Sequence, residues 1–437
     1  MTIRTPIDPD LVATHNASLL AGLTGDHEHL CEQLERRRID PREIRRRIAA
    51  FAVALPSWAV GTGGTRFARY PVPGEPRNVF EKFEDCGVIQ QLVRATPTVS
   101  VHFPWDRTDD LAGLREHAAA FGLAFDAVNS NTFQDQPGQQ HSYKFGSLTH
   151  VSRATREQAI AHNLEVIEAG RKLGSRALTL WIGDGSNFPG QQDFGAAFDR
   201  YVDSARHIYA ALPDDWQLLL EHKLYEPALY STVIQDWGSS LLAANALGPK
   251  ARCLVDLGHH APSVNIEMIV ARLYGQGKLG GFHFNSRKYA DDDLIVGTVN
   301  PFELFLIFNE LVAAAGDPAT ADCARHVAYM IDQSHNIEPK LEAMVQSVSN
   351  VQAAYARALL VDRQALAEAQ GAGDVLGAYR CLTNAYETDV RPLLAQVRRE
   401  MGLAPDPLAA LKASGYEAKI AAERGTAASD GSSGYPG

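Results

Sequence analysis

Eight short apolar runs, separated by longer amphipathic stretches, constrain this chain more than any other feature. They are FAVALPSW (51–58), TVSVHFPW (98–105), LAFDAVNSN (123–131), ALTLWIGD (177–184), WQLLLEHK (216–223), RCLVDLG (252–258), LGGFHFN (279–285) and VAYMID (327–332). Alternation of this kind implies strand–helix units and a parallel sheet, and eight units close a (β/α)8 barrel, an α/β fold. Each run ends in a polar or aromatic residue: Trp58, His102, Asn131, Trp181, Glu221, Asp256, His283 and Asp332. Active sites of such barrels lie at the C-terminal strand ends, so all eight are expected at one pocket.

Around this barrel, placed at 51–340, residues 1–50 read as a helical extension with a break at Thr24-Gly25 and a helix start at Asp40-Pro41. Residues 341–424 read as a further helical region. Residues 425–437, rich in Gly and Ser, read as a flexible tail.

The chain has 437 residues and a formal net charge of −11, which argues against nucleic acid as a partner. The basic cluster Arg36–Arg38 and Arg45–Arg47 is interleaved with Glu35, Asp40 and Glu43, so it reads as solvated helix surface. No apolar run approaches bilayer thickness and the start, MTIRTPIDPD, has no secretory signal, so no membrane association and a cytoplasmic location are expected. The five cysteines, Cys31, Cys86, Cys253, Cys323 and Cys381, show no CxxC spacing, which leaves reduced thiols as the expectation.

The chemistry concentrates in the last four strands. Glu221-His-Lys223, Asp256-Leu-Gly-His259, His283-Phe-Asn285, Asp291-Asp-Asp293 and Asp332 bring carboxylates and imidazoles to one barrel mouth. That much negative charge is unfavourable without cations, and two divalent ions would offset most of it. Hard oxygens with imidazole and no thiolate suit manganese, cobalt or magnesium better than a structural zinc. Cys253, three residues before Asp256, points to the opposite face of its strand. Taken singly, each group also reads as an ordinary strand exit or acidic turn; their succession in strand order favours a binuclear site.

At this point the sequence resembles the L-rhamnose isomerases, in the broad-specificity form that also acts on D-allose and other aldoses. The likeness runs from about Phe51 to the helices near residue 420. It rests on PSWAVGTGGTRFARYP, FPWD, NSNTF, WIGDGSNFPG, EHKLYEPALYSTVIQDWG, CLVDLGHHAPSVNIEMI, GFHFN and MIDQSHN. The resemblance implies two divalent metal ions per subunit, Mn2+ first, and an aldose–ketose isomerisation. It implies a structural ion on Glu221, Asp256, His283 and Asp332, and a catalytic ion on His259, Asp291 and Asp293 with Asp256 bridging. It also implies Lys223 as the catalytic lysine, Trp58, Phe67, Phe133, Trp181 and Ser334 against the substrate, and a homotetramer. One departure is visible: Ser286-Arg287-Lys288 follows Asn285 where an acidic residue is expected in close relatives, which bears on the surroundings of the catalytic ion rather than on a ligand.

His102, before Pro104 and Trp105, reads as a sugar contact or ring-opening group, since opening a pyranose needs proton transfer at the ring oxygen; a structural strand-end histidine is the plainer alternative. Gly61-Thr-Gly-Gly-Thr65 fits neither phosphate-loop pattern, and Gly183-Asp-Gly185 reads as a strand-exit turn. A 1,2-hydride shift is expected, Asp332 being the first candidate base if a proton moves instead. The alternatives are an enediol-type isomerase or epimerase, whose product would take up solvent label, and a metal-stabilised sugar-binding protein without turnover.

Overall fold

The computed structural model describes residues 3–62, 69–226, 230–334 and 337–426. Each apolar run contains one strand, seven of them to within about a residue at the start, whereas the first strand begins four residues into its run: β1 (Leu55–Pro56), β2 (Thr98–Phe103), β3 (Ala124–Ser130), β4 (Ala177–Leu180), β5 (Gln217–Glu221), β6 (Ala251–Asp256), β7 (Leu279–Phe284) and β8 (Ala328–Ile331). All pair in parallel and in sequence order. The ring closes where Ala54 bridges Met330: the Ala54 N–H donates to Tyr329 at 2.7 Å, and the Ile331 N–H donates to Ala54 at 3.1 Å. The fold is therefore the expected TIM barrel.

Side-chain alternation explains why these runs are apolar and yet end in chemistry. Outward residues such as Leu218, Leu220, Cys253, Val255, Phe282 and Phe284 are buried beneath the surrounding helices. Inward residues begin with a low layer of Ala127, Leu219 and Leu254, flanked by Ala177 and Ala328. One step further along, the same inward phase places Glu221, Asp256, His283 and Asp332 at the mouth. In β7 this phase depends on an irregularity, because Leu279 pairs with Cys253 whereas Gly281 pairs with Leu254. Gly280 absorbs the extra residue, since a Cβ there would meet the Arg252 Cβ. His283 then stands in register with Asp256.

The crossover helices are α3 (Val79–Val93), α4 (Leu111–Ala120), α5 (Arg153–Leu173), α6 (Phe194–Ala211), α7 (Trp237–Leu247), α8 (Ile266–Gly275) and α9 (Pro301–Gly316), with the short α10 (Ala321–Ala324) before β8. After β8, α11 (Lys340–Leu359) packs against α9 and α3. Asn or Asp side chains cap the first turns of α3, α4, α6, α7, α8 and α9, so the loops leaving the strands end at defined points.

The N-terminal extension forms α1 (Pro9–Arg36) and α2 (Pro41–Ala50), the latter capped by Asp40 as expected. The expected break at Thr24-Gly25 does not occur. The Thr24 hydroxyl donates to the Leu20 carbonyl at 2.9 Å, which keeps it inside the helix, and a lone Gly in a helix costs only about 1 kcal/mol. Beyond the barrel lie α12 (Arg363–Ala372), α13 (Val375–Tyr386), α14 (Arg391–Glu400), α15 (Pro407–Ser414) and α16 (Tyr416–Arg424); α14 and α15 pack on α1, and α14 also packs on α2. Arg424 ties α16 to α3 through Asp85, 2.8 Å away. The tail from residue 427 lies outside the described residues, as do Phe67 and most of the Gly61–Thr65 loop. No described helix is long and apolar enough to cross a membrane. Cys86, Cys253 and Cys323 are buried free thiols, whereas Cys31 and Cys381 are half-buried.

Candidate functional site

A cavity opens at the C-terminal end of the barrel. One side is charged, lined by Glu221, Lys223, His259, His283, Asp291, Asp293 and Asp332. The other side carries Trp58, His102, Phe133, Trp181 and Ser334, so the described residues singled out by sequence converge here. Asp256 lies in the floor, 1% exposed.

Asn131 does not reach the cavity, contrary to expectation. Its Oδ1 accepts from the Gln134 N–H at 3.1 Å and its Nδ2 donates to Gln134 Oε1, which makes it a turn residue. Asn129, two residues earlier and inward by alternation, takes that place, beside Ser130, Thr179 and Trp105.

The ligand-type atoms form two groups that share Asp256. Glu221, Asp256, His283 and Asp332 make the first, and Asp256, His259 and Asp291 the second; within each, the atoms lie within 4.8 Å of one another. Asp293 lines the cavity, but its carboxylate is in neither group. His283 Nδ1 stands 3.3 Å from Glu221, 3.6 Å from Asp256 and 3.2 Å from Asp332. Donor atoms about 2.1 Å from one ion are spaced about 3.0–3.4 Å apart, so this group fits a coordination shell.

The hydrogen bonding fits it too. His283 Nδ1, Asp256 Oδ2 and Asp291 Oδ1 are buried without a hydrogen-bond partner, and leaving three such atoms so close together would cost about 1–3 kcal/mol each. A divalent ion would satisfy them. The other Asp256 oxygen is held by the Gly258 N–H at 2.6 Å and by Asn285 Nδ2 at 2.9 Å. Position 258 must be glycine for this approach, since a Cβ would lie 2.5 Å from Asp291 Oδ1. His259 donates its Nδ1–H to the His222 carbonyl at 3.0 Å, which leaves Nε2 facing Asp291 at 3.4 Å.

The electrostatics follow from this crowding. Burial alone would raise Glu221 and Asp291. The charge of His283 and hydrogen bonds from His259 and His283 hold Glu221 well below the usual carboxylate range, and Lys223 and His259 do the same for Asp291. Asp293 is pushed far up by burial and by the charges of Asp291, Asp332 and Asp256. Lys223 Nζ lies 2.8 Å from Asp291, 3.2 Å from Glu226 and 5.1 Å from the centre of the Trp181 ring.

Across the cavity His102 is pushed down to about 3 by burial and by the charges of His162 and Lys82, so it stays a neutral imidazole. It stacks on Trp105 with centroids 3.9 Å apart. Arg287, from the unexpected Ser-Arg-Lys stretch, donates to the Ala261 carbonyl at 3.0 Å. Sequence reading quoted Asn285 and Asp106 within its segments but gave no role to them, to Glu226 or to Lys82. Glu226 sits three residues beyond Lys223, a spacing that offered a signal.

Fold and site together define a barrel protein with a buried carboxylate–imidazole cluster that could bind a metal at its catalytic face. No family model matches the sequence. The chain is 58% identical over 425 residues to a probable sugar isomerase of Rhizobium meliloti, covering 97% of this chain and 98% of that one. It is 56% identical over 420 residues to a probable sugar isomerase of Mesorhizobium japonicum, covering 96% and 97% respectively. The chain belongs to this family of probable sugar isomerases. Among solved structures it is similar in fold to an L-ribulose 3-epimerase, with a TM-score of 0.51 and 13% identity over 72% of this chain and 99% of the other.

Proposed function

We propose that the protein is a divalent-metal-dependent aldose–ketose isomerase that converts L-rhamnose to L-rhamnulose and accepts other aldoses, D-allose to D-allulose among them. The observation that carries this reading is the pair of ligand groups sharing Asp256, with the Lys223 ammonium 2.8 Å from a carboxylate of the second group. Glu221, Asp256, His283 and Asp332 would hold one ion; Asp256, His259 and Asp291, with Asp293 alongside, would hold another. Two such ions, manganese first and cobalt or magnesium otherwise, would bind adjacent oxygens of an open-chain sugar and polarise its carbonyl.

The chain's own residues supply the rest. Lys223 donates to the carbonyl oxygen as negative charge develops there. His102, neutral and facing the cavity, exchanges a proton at the ring oxygen and so opens the pyranose. Trp58, Phe133 and Trp181 cover the C–H faces of the sugar, and the Ser334 hydroxyl contacts a sugar hydroxyl; Phe67 is added to this set on the resemblance alone. Hydrogen then passes from C2 to C1 as hydride within the substrate, while a proton moves between O2 and O1. Proton transfer through an enediol is the second reading, favoured by Asp293, a cavity carboxyl outside both ligand groups. We take the enzyme to be a homotetramer, on the resemblance and the helices added around the barrel, and a cytoplasmic one, on the character of its sequence.

The test is ketose formation from L-rhamnose, L-mannose, L-lyxose, D-allose and D-ribose with manganese restored to stripped protein. Conversion of none of them would sink the proposal.

A further inference from the structure

The ligand groups account for the charged side of the cavity, but another device holds the aromatic side. Asp106, 1% exposed, lies behind that wall. Its Oδ2 accepts from the backbone N–H of His102 at 2.7 Å and from the hydroxyl of Ser57, the residue before Trp58. Its Oδ1 accepts from Lys82 Nζ on α3 at 2.9 Å, and both charged side chains are buried. One carboxylate thus ties the exits of β1 and β2 to a helix of the outer ring. The Trp58 ring meets His102 edge-on at 5.7 Å, and Trp105 stacks on its face.

A buried ion pair stabilises a fold poorly, because desolvation consumes most of the attraction and apolar residues of similar volume serve as well. What it does supply is direction: hydrogen bonds at fixed angles to two strand exits. Flat aromatic and imidazole faces fit the apolar C–H face of a closed pyranose, which an open chain does not present. The oxygens of an open chain match the ligand groups across the cavity instead.

We propose that Asp106 is a positioning residue that sets Trp58 and His102 as a rigid wall for the closed-ring form of the substrate. This rests on the sugar-isomerase reading above. The test compares two probes by calorimetric titration of manganese-loaded protein: 1,5-anhydro-L-rhamnitol, whose ring cannot open, and L-rhamnitol, which has no ring. The neutral double variant Lys82→Met/Asp106→Asn leaves no buried charge unpaired, and Ser57→Ala, a milder change, removes a single hold.

In the double variant, with manganese held at a saturating concentration because Trp58 also holds Asp332, the ring probe is expected to bind about tenfold more weakly while the open-chain probe stays within about twofold. In Ser57→Ala the same split is expected at about threefold, which keeps the inference testable should the double variant fail to fold. Unchanged binding of the ring probe in Ser57→Ala and the double variant overturns the inference, and so does an equal loss for both probes, which marks general structural damage. Wild-type protein that binds neither probe overturns the sugar-isomerase reading and this inference with it.

Discussion

The indole N–H of Trp58 donates to Oδ1 of Asp332 at 2.9 Å, and the other oxygen of that carboxylate lies 3.2 Å from Nδ1 of His283. The residue that opens the first strand exit therefore orients a ligand-type carboxylate at the last, across the seam where the barrel closes. Groups that orient metal ligands carry about 10–100-fold in affinity. Trp58→Phe keeps the aromatic face but removes the donor, so manganese affinity of stripped protein is expected to fall within that range. Calorimetric titration checks it, and an unchanged affinity would remove Asp332 from the ligand set.

Lys223 is the cation paired with Asp291, not a ligand. Lys223→Met is expected to lower kcat by about a hundredfold or more, the scale of losing a donor aimed at developing charge. Metal content should be retained, because the neighbouring carboxylate loses a competing cation. If metal and activity fall together in elemental analysis and assay, the assigned role is wrong.

Stripping the metal should also invert the pH dependence of stability. Burial alone would lower His259 and His283, but Asp256 and Asp291 around the first, and Glu221 around the second, raise both well above their ordinary value of 6.5. A raised folded-state value contributes stability that is complete below the ordinary value and is lost as pH rises through the raised one. Metal-free protein is thus expected to melt lower at about pH 9 than at about pH 6. Ion binding needs neutral imidazoles and releases their protons, so the stabilisation by manganese grows over the same interval. Scanning calorimetry with chelator and with manganese measures both trends. A melting temperature and activity indifferent to thorough chelation would defeat the metal-centre reading.

The barrel is legible in the chain because parallel strands covered by helices read as unbroken apolar runs. The inward phase that runs from Leu254 to Asp256 marks where each run turns to chemistry. Phase within a strand is less legible. The extra residue at Gly280 follows from backbone pairing with β6, and Asn129 rather than Asn131 faces the cavity because the last polar residue of that run belongs to the turn. The role of Asp106, which ends the FPWD segment, was not legible for another reason: its partners Ser57, Lys82 and His102 come from three segments that only the closed ring brings together.

How hydrogen travels between C1 and C2 is the most exposed part of the proposal. Glu221, Asp256, Asp291 and Asp332 fall in the ligand groups, and a carboxylate bound to a cation is a weaker base than a free one. Asp332 is further occupied by the Trp58 indole, which makes it a poorer candidate base than its place at the last strand end suggests. Asp293 remains, and the burial and neighbouring acids that push it up would also help it keep a proton. A hydride carried from C2 to C1 never meets water, whereas a proton held by a side chain exchanges in part before it returns. L-Rhamnose deuterated at C2 is therefore expected to give L-rhamnulose with the label retained at C1 in ordinary water, as read by proton NMR of the product. Extensive loss of deuterium would refute the hydride path, and restored retention in Asp293→Asn, at a lower rate, would identify the base.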